Sequence, residues 1–142
     1  MSKIKLVAWD VYETIIAPHL DDDIIRLRQG SLELLTQIKS KNILQCTCSD
    51  GDLTNLKNNL KEAGINWQDY FIDLYKMSYG ERKDFSYIVE ANKIKFNELL
   101  VIGDDYNLDI ELAKEQGCKT IWVPEIKEKQ SLLDFDEFKT FF

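Results

Sequence analysis

A chain of 142 residues, 44% hydrophobic and 30% charged, has the makeup of one globular domain. It is long enough to bury roughly 70% of the surface that its unfolded form exposes. A net charge of −7 argues against general nucleic-acid binding, which relies on Lys and Arg to neutralise phosphates. No apolar run approaches the ~20 residues of a membrane span, and the N-terminus lacks a signal-peptide layout. Three cysteines cannot all pair with one another. Cys46 and Cys48 sit in one strand-like run and Cys118 just before another, so reduced core thiols in a cytoplasmic protein are expected. A CxC metal clip would need more Cys or His partners than the sequence supplies.

The first element is the apolar run beginning at Leu6, which suits a strand buried on both faces of a parallel sheet. The run stops on a carboxylate, Asp10. Open parallel sheets bind ligands at the carboxyl ends of their strands, and an unpaired buried carboxylate is costly. Asp10 is therefore the candidate chemical centre; on this stretch alone it also reads as an Asp opening an ordinary turn. Pro18 and Asp21-Asp22-Asp23 mark a solvated turn in a connection too short for a separate lid domain.

A helix follows over 31–39, with Leu32, Leu35 and Ile38 on one face. Asn42 to Ser49 is a second strand ending on a hydroxyl. Asp50-Gly51-Asp52 then turns into a helix that buries Leu53, Leu56 and Leu60 and closes at Gly64. Phe71 to Met77 reads as a third, weaker strand, and Lys83 stands at the mouth of a helix carrying Phe85, Ile88 and Val89. Leu99 to Gly103 is a fourth strand, emptying into Asp104-Asp105. A helix marked by Leu108, Leu112 and Ala113 ends at Gly117, and Ile121-Trp122-Val123 is a fifth strand stopped by Pro124.

Strands alternating with helices at this spacing predict right-handed crossovers and a three-layer α/β sandwich with five parallel strands. One domain over 1–142 is expected, with 125–142 as a C-terminal helical tail. In that tail Leu132, Phe135 and Phe138 share a face, with Phe141 and Phe142 beyond. Such a face either docks on the chain's own sheet or forms a homodimer surface.

Four strand–helix junctions thus carry polar groups in a fixed order. Asp10 follows the first strand, Ser49 the second, Lys83 opens a helix, and Asp104-Asp105 follow the fourth strand. Each suits one task in phosphoryl transfer. A carboxylate can attack phosphorus, a hydroxyl and an ammonium can hold phosphate oxygens, and further carboxylates can hold Mg²⁺ between nucleophile and anionic substrate. Taken singly, each has a structural explanation as a helix cap or solvated charge.

In this ordered set the chain resembles the haloacid dehalogenase-like (HAD) hydrolase superfamily, from about Ile4 to Val123. That family's first motif, DxDxT with a nucleophilic first Asp, stands here as Asp10-Val11-Tyr12-Glu13-Thr14. Its second motif matches Ser49, its third Lys83, and its acidic fourth Gly103-Asp104-Asp105, with Asp109 also in register. The Trp9-Asp10 pair and Asp104-Asp105-Tyr106-Asn107 look like the small, capless, magnesium-dependent phosphatases. Receiver domains of bacterial signalling use similar residues, but there the acid pair comes first and the Lys last, so the order excludes them.

The resemblance implies a Rossmann-like fold without a cap domain and phosphate-ester hydrolysis through an aspartyl phosphate on Asp10. It implies Asp10, Tyr12, Ser49 and Lys83 as catalytic, and Ser49, Asp50, Gly51 and Lys83 as substrate-binding. It places Mg²⁺ on Asp10, the backbone carbonyl of Tyr12, Asp104 and Asp105. A phosphorylated small molecule or macromolecule is the implied partner.

The pattern breaks at Tyr12, where these phosphatases carry the Asp that serves as general acid and base. A tyrosine can donate a proton but, with an ordinary pKa near ~10, is a poor base at neutral pH. Haloacid dehalogenases also carry Tyr at this position, but they use an apolar cap with a halide-binding arginine and no metal. Neither Arg26 nor Arg28 matches that arginine in position. His19 is a candidate substitute acid. Asp50, where Asn is common, and Glu13, where Gly is usual, add negative charge near the site. The sequence therefore points to a magnesium phosphatase of weak or atypical activity, or to a degenerate HAD domain that binds metal, phosphate or a partner without catalysis.

Overall fold

The computed structural model describes residues 3–16, 24–124 and 131–142. His19, the acidic run at 21–23 and the first part of the C-terminal tail, 125–130, lie outside the described residues. Strands β1 (Leu6–Trp9), β2 (Leu44–Thr47), β3 (Leu99–Gly103) and β4 (Lys119–Trp122) form one sheet in the order β2-β1-β3-β4. Every pairing is parallel.

Alternation along the strands divides the core in two. Val7, Trp9, Leu100, Ile102 and Ile121 face one apolar cluster, and Leu6, Ala8, Leu99 and Val101 face the other. Helices α1 (Ser31–Ser40) and α2 (Leu53–Glu62) cover the first face with Leu34, Leu35, Ile38, Leu56 and Leu60. Helices α3 (Ser86–Asn92) and α4 (Glu111–Gln116) cover the second with Ile88, Val89 and Ala113. The result is the expected three-layer α/β sandwich.

The count of strands is corrected from five to four among the described residues. Residues 71–77 do run beside β2: the Ile72 and Tyr75 N–H groups donate to the Gln45 and Thr47 carbonyls at 2.8 and 3.0 Å. Only isolated bridges form, however, at Thr47–Leu74 and Asp50–Met77. In α1 the buried stripe is Ser31, Leu34, Leu35 and Ile38, so Leu32, expected on the buried face, is 43% exposed.

Capping follows the sequence closely. The Asp52 carboxylate accepts the Thr54 N–H at the start of α2, and Gly64 (φ 97) provides the left-handed turn beyond its end.

The described part of the tail docks on its own body. Leu132 is fully buried, and its N–H donates to the Gln29 carbonyl. Helix α5 (Glu137–Phe141) lays Phe138 on Trp9, with ring centroids 6.0 Å apart and planes 19° from parallel. Phe135 lies beneath the Arg28 guanidinium, 5.5 Å from ring centre to Cζ. The tail thus braces both the strand that delivers Asp10 and the segment leading into α1. Phe138→Ala should destabilise the protein by about 3 kcal/mol, measured by urea unfolding. A loss under ~1 kcal/mol would mean that the tail is not part of the core.

Candidate active site

The site lies at the carboxyl end of the sheet. Backbone pairing continues one residue past β1, the Asp10 N–H donating to the Ile102 carbonyl at 2.8 Å, so Asp10 leaves the ladder in a fixed place. Its side chain is 8% exposed. Ser49, two residues past the end of β2, uses its hydroxyl twice. Its Oγ accepts the Val11 N–H at 2.9 Å and donates to Asp10 Oδ1 at 3.3 Å.

Lys83 arrives from the opposite side, where its backbone N–H donates to the Leu108 carbonyl at 2.9 Å. Its ammonium lies 3.2 Å from Asp10 Oδ1 and 2.5 Å from Asp109 Oδ1, with its side chain 2% exposed. Both contacts to Asp10 fall on Oδ1, so neither occupies the second oxygen.

The loop after β3 brings in the remaining acids. Asp104, Asp109 and Asp10 each offer an oxygen within 4.8 Å of the other two. Asp105, expected among the metal ligands, serves here as a cap. Its carboxylate accepts the Asn107 and Leu108 N–H groups, and its own N–H donates to Asp109 Oδ2 at 3.2 Å. It opens a π-helical turn, Tyr106–Ile110, that swings Asp109 back over the end of β3. Gly103 makes room for this, because a Cβ there would collide with the Asp109 carboxylate.

Other expected residues are more peripheral. Tyr12 is half-buried against the core, and its hydroxyl oxygen accepts a 2.6 Å hydrogen bond from Asn59 Nδ2 on α2. The Asp50 carboxylate accepts the Gly80 N–H at 3.4 Å, tying the loop after β2 to the loop before Lys83. Gly51 has φ 130, a conformation open chiefly to glycine. Glu13 stands at φ 64, an uncommon backbone for a side-chain-bearing residue.

The sequence reading puts Asp109 in register with the acidic motif without assigning it a role, and does not single out Arg28 as functional. Asp109 carried a signal, since it lies one helical turn beyond Asp105 and so points back at the same loop. Arg28 carried none. It lies in an irregular segment, yet it is 4% exposed and donates to the Glu13 carbonyl at 3.3 Å.

Burial dominates the electrostatics. It pushes the Asp10 carboxyl up to about 7, with Lys83 pulling it down and Asp104 adding to the rise. Burial and the Asp10 charge raise Asp109 to about 6, and Asp104 is raised by burial as well. Burial also works against the Lys83 ammonium, but Asp10 and Asp109 outweigh it and hold the proton on. The carboxylates, not the lysine, are the groups that give way. Three acids around one ammonium leave a surplus of negative charge that a cation would neutralise. An all-oxygen donor set suits a small hard ion such as Mg²⁺.

A family model for haloacid dehalogenase-like hydrolases matches residues 4–117. The chain belongs to that family. Solved structures agree on the HAD fold. A protein of Listeria monocytogenes serotype 4b is 24% identical, with 92% of this chain and 87% of that one covered and a TM-score of 0.71. A haloacid dehalogenase-like hydrolase of Xanthomonas campestris is 12% identical, with 95% and 89% covered and a TM-score of 0.72. The N-terminal part of a Bacteroides fragilis protein, containing a phosphatase domain complexed with Mg, is 17% identical with a TM-score of 0.66. In that comparison 87% of this HAD chain and 37% of the other are covered. No curated protein matches the chain. Among the described residues, no helix of this HAD domain is long and apolar enough to cross a membrane.

Two outcomes are expected. Protons and a cation compete for the same oxygens, and the acids titrate high, so Mg²⁺ should bind more tightly as pH rises from 5.5 to 8. The Mg²⁺-induced rise in Tm should therefore be larger at pH 8; an equal rise at both ends would exclude these carboxyls as ligands. Gly103→Ala should displace Asp109, lowering stability by about 1–3 kcal/mol and shrinking that Mg²⁺-induced shift.

Proposed function

We propose that this HAD hydrolase is a Mg²⁺-dependent phosphatase that works through an aspartyl phosphate on Asp10. The observation that carries this reading is the convergence of Ser49, Lys83, Asp104 and Asp109 on one carboxylate at the carboxyl end of the sheet. Residues this far apart in sequence have no local reason to meet there. Asp10, Asp104 and Asp109, with the Tyr12 carbonyl, would hold the ion. When bound, the ion offsets the repulsion between the nucleophile and a phosphate dianion.

Asp10 attacks phosphorus with the oxygen not held by Lys83 and Ser49. An O–P bond forms to the carboxylate as the ester O–P bond breaks, and water then hydrolyses the acyl phosphate to restore Asp10. Lys83 and Ser49 hold the carboxylate in line and meet the charge developing on phosphoryl oxygens. Asp50 and Gly51 shape the mouth.

Proton transfer is the weak step. The Tyr12 oxygen accepts from Asn59, which leaves its own O–H available to protonate a leaving oxygen. A tyrosine side chain does little to activate water in the second half-reaction. Turnover is therefore slow, and fastest for substrates whose leaving group needs no proton. With no cap domain among the described residues, an open site would suit a bulky phosphorylated small molecule or macromolecule. A cytoplasmic setting fits the three free, buried cysteines.

Tyr12 also favours a second reading, a domain that binds metal and phosphate without turnover. Acetyl phosphate and p-nitrophenyl phosphate with Mg²⁺ separate the two. The phosphatase reading expects activity in the wild type that falls at least about 10³-fold in Asp10→Asn. Tyr12→Asp should then raise the rate by about 10²-fold. Wild-type turnover that survives Asp10→Asn would reject the mechanism, and no turnover in either the wild type or Tyr12→Asp would leave the binding domain.

A further inference from the structure

Trp122 is 48% exposed, on an edge strand of a sheet whose other apolar side chains are mostly buried. Its position is not arbitrary. Trp122 pairs with Gly103 across β3–β4, and Trp9 pairs with Ile102 across β1–β3. Asp10, Gly103 and Trp122 therefore occupy one rung of the sheet, on the face where α3 and α4 pack. The nucleophile stands at one end of the rung and the indole at the other. Over the glycine between them lies the Asp109 carboxylate. Two strand spacings separate the ends, on the order of 10 Å.

The indole is also held. Its Nε1–H donates at 2.9 Å to the carbonyl of Asp104, the residue whose side chain joins the acid cluster. Tyr106, from the π-helical turn, meets it nearly edge to face, with centroids 5.3 Å apart and planes at 71°. The Lys114 ammonium lies 5.2 Å from the centre of the Tyr106 ring, bracing that ring in turn. An exposed tryptophan fixed by a hydrogen bond and an aromatic neighbour has little side-chain entropy left to lose on binding. It is a prepared surface beside the site, at the far end of the rung that carries Asp10.

We propose that Trp122 is a specificity-determining residue, a stacking platform for a planar ring in the leaving group of the phosphate ester, such as the base of a nucleoside monophosphate. The inference rests on the phosphatase reading for the position of the phosphate. A sugar spans the gap between a phosphate over Asp10 and a ring over Trp122. The neutral face of a base also suits a rim that already carries Asp104, Asp105 and Asp109. A free aliphatic or anionic leaving group gains nothing from the indole.

Adenosine 5′-monophosphate and ribose 5-phosphate share the phosphate and sugar and differ in the base. Isothermal titration in Mg²⁺ should show the nucleotide binding about tenfold more tightly to the wild type, the order expected of one base on one aromatic ring. Trp122→Ala should bind the two ligands alike, and Trp122→Phe should keep part of the preference. Equal binding by the wild type, no binding of either ligand, or an undiminished preference in Trp122→Ala would each overturn the proposal. The wild-type comparison decides even if the alanine variant fails to fold. Asp10-dependent release of phosphate from acetyl phosphate, measured alongside, reports on the phosphatase reading separately. A base preference without such turnover would sink that reading and leave the platform standing.

Discussion

The arrangement depends on one buried cation, the Lys83 ammonium lodged between Asp10 and Asp109. Removing one partner from such a group leaves an uncompensated buried charge, at about 3–5 kcal/mol. The pair therefore has to form if the rest is to fold around it. The fold meets this need from three separate directions. β1 supplies Asp10, the turn after β3 supplies Asp109, and the backbone of Lys83 is tied to Leu108 in that same turn. The link explains how a residue ahead of α3 holds its position beside a loop more than twenty positions on.

Charge is deliberately unbalanced around that lysine. With Asp104 added there are three acids for one ammonium, and burial raises all three above the usual carboxylate range. A folded protein that keeps such a cluster either holds protons there or holds a cation. The first choice destabilises the protein as pH rises: the folded-state values exceed the ordinary 3.8, so the native state binds more protons than the unfolded chain until about pH 7. The second choice turns the same cluster into a site. Arg28, held under the tail against Phe135, lies near enough to Asp104 and Glu13 to feel both charges. It brings a further positive group to the acidic loops without entering the cluster.

Two of the departures from the expected pattern, Tyr12 and Glu13, lie on the loop after β1, and the third, Asp50, follows β2. Tyr12 turns to Asn59, and Glu13 holds a left-handed backbone. Asp10 keeps both Ser49 and Lys83 as hydrogen-bonding partners. No carboxylate stands at position 12, and the phenol there is tied to α2. The family assignment rests on the match over residues 4–117, which these departures do not interrupt.

Much of this was legible in the residues alone. Continuous apolar runs ending on Asp10 and Gly103 specify buried parallel strands because only such strands are covered on both faces. Asp52 and Gly64 mark the ends of α2 because capping is local. The order of Asp10, Ser49, Lys83 and the late acids identifies the family for the same reason: it is written along the chain. Three matters were decided only in three dimensions. Residues 71–77 meet β2 only through isolated bridges, and periodicity does not register how much of a ladder forms. The choice of Asp109 over Asp105 for the cluster depends on how a π-helical turn spends one carboxylate as a cap and aims the other. Trp122 reads as a strand residue in sequence and becomes a rim residue only when sheet register sets it level with Asp10. Patterns with a local cause can be read from a sequence, whereas the fate of a side chain that must choose between partners is settled by what the rest of the fold brings next to it.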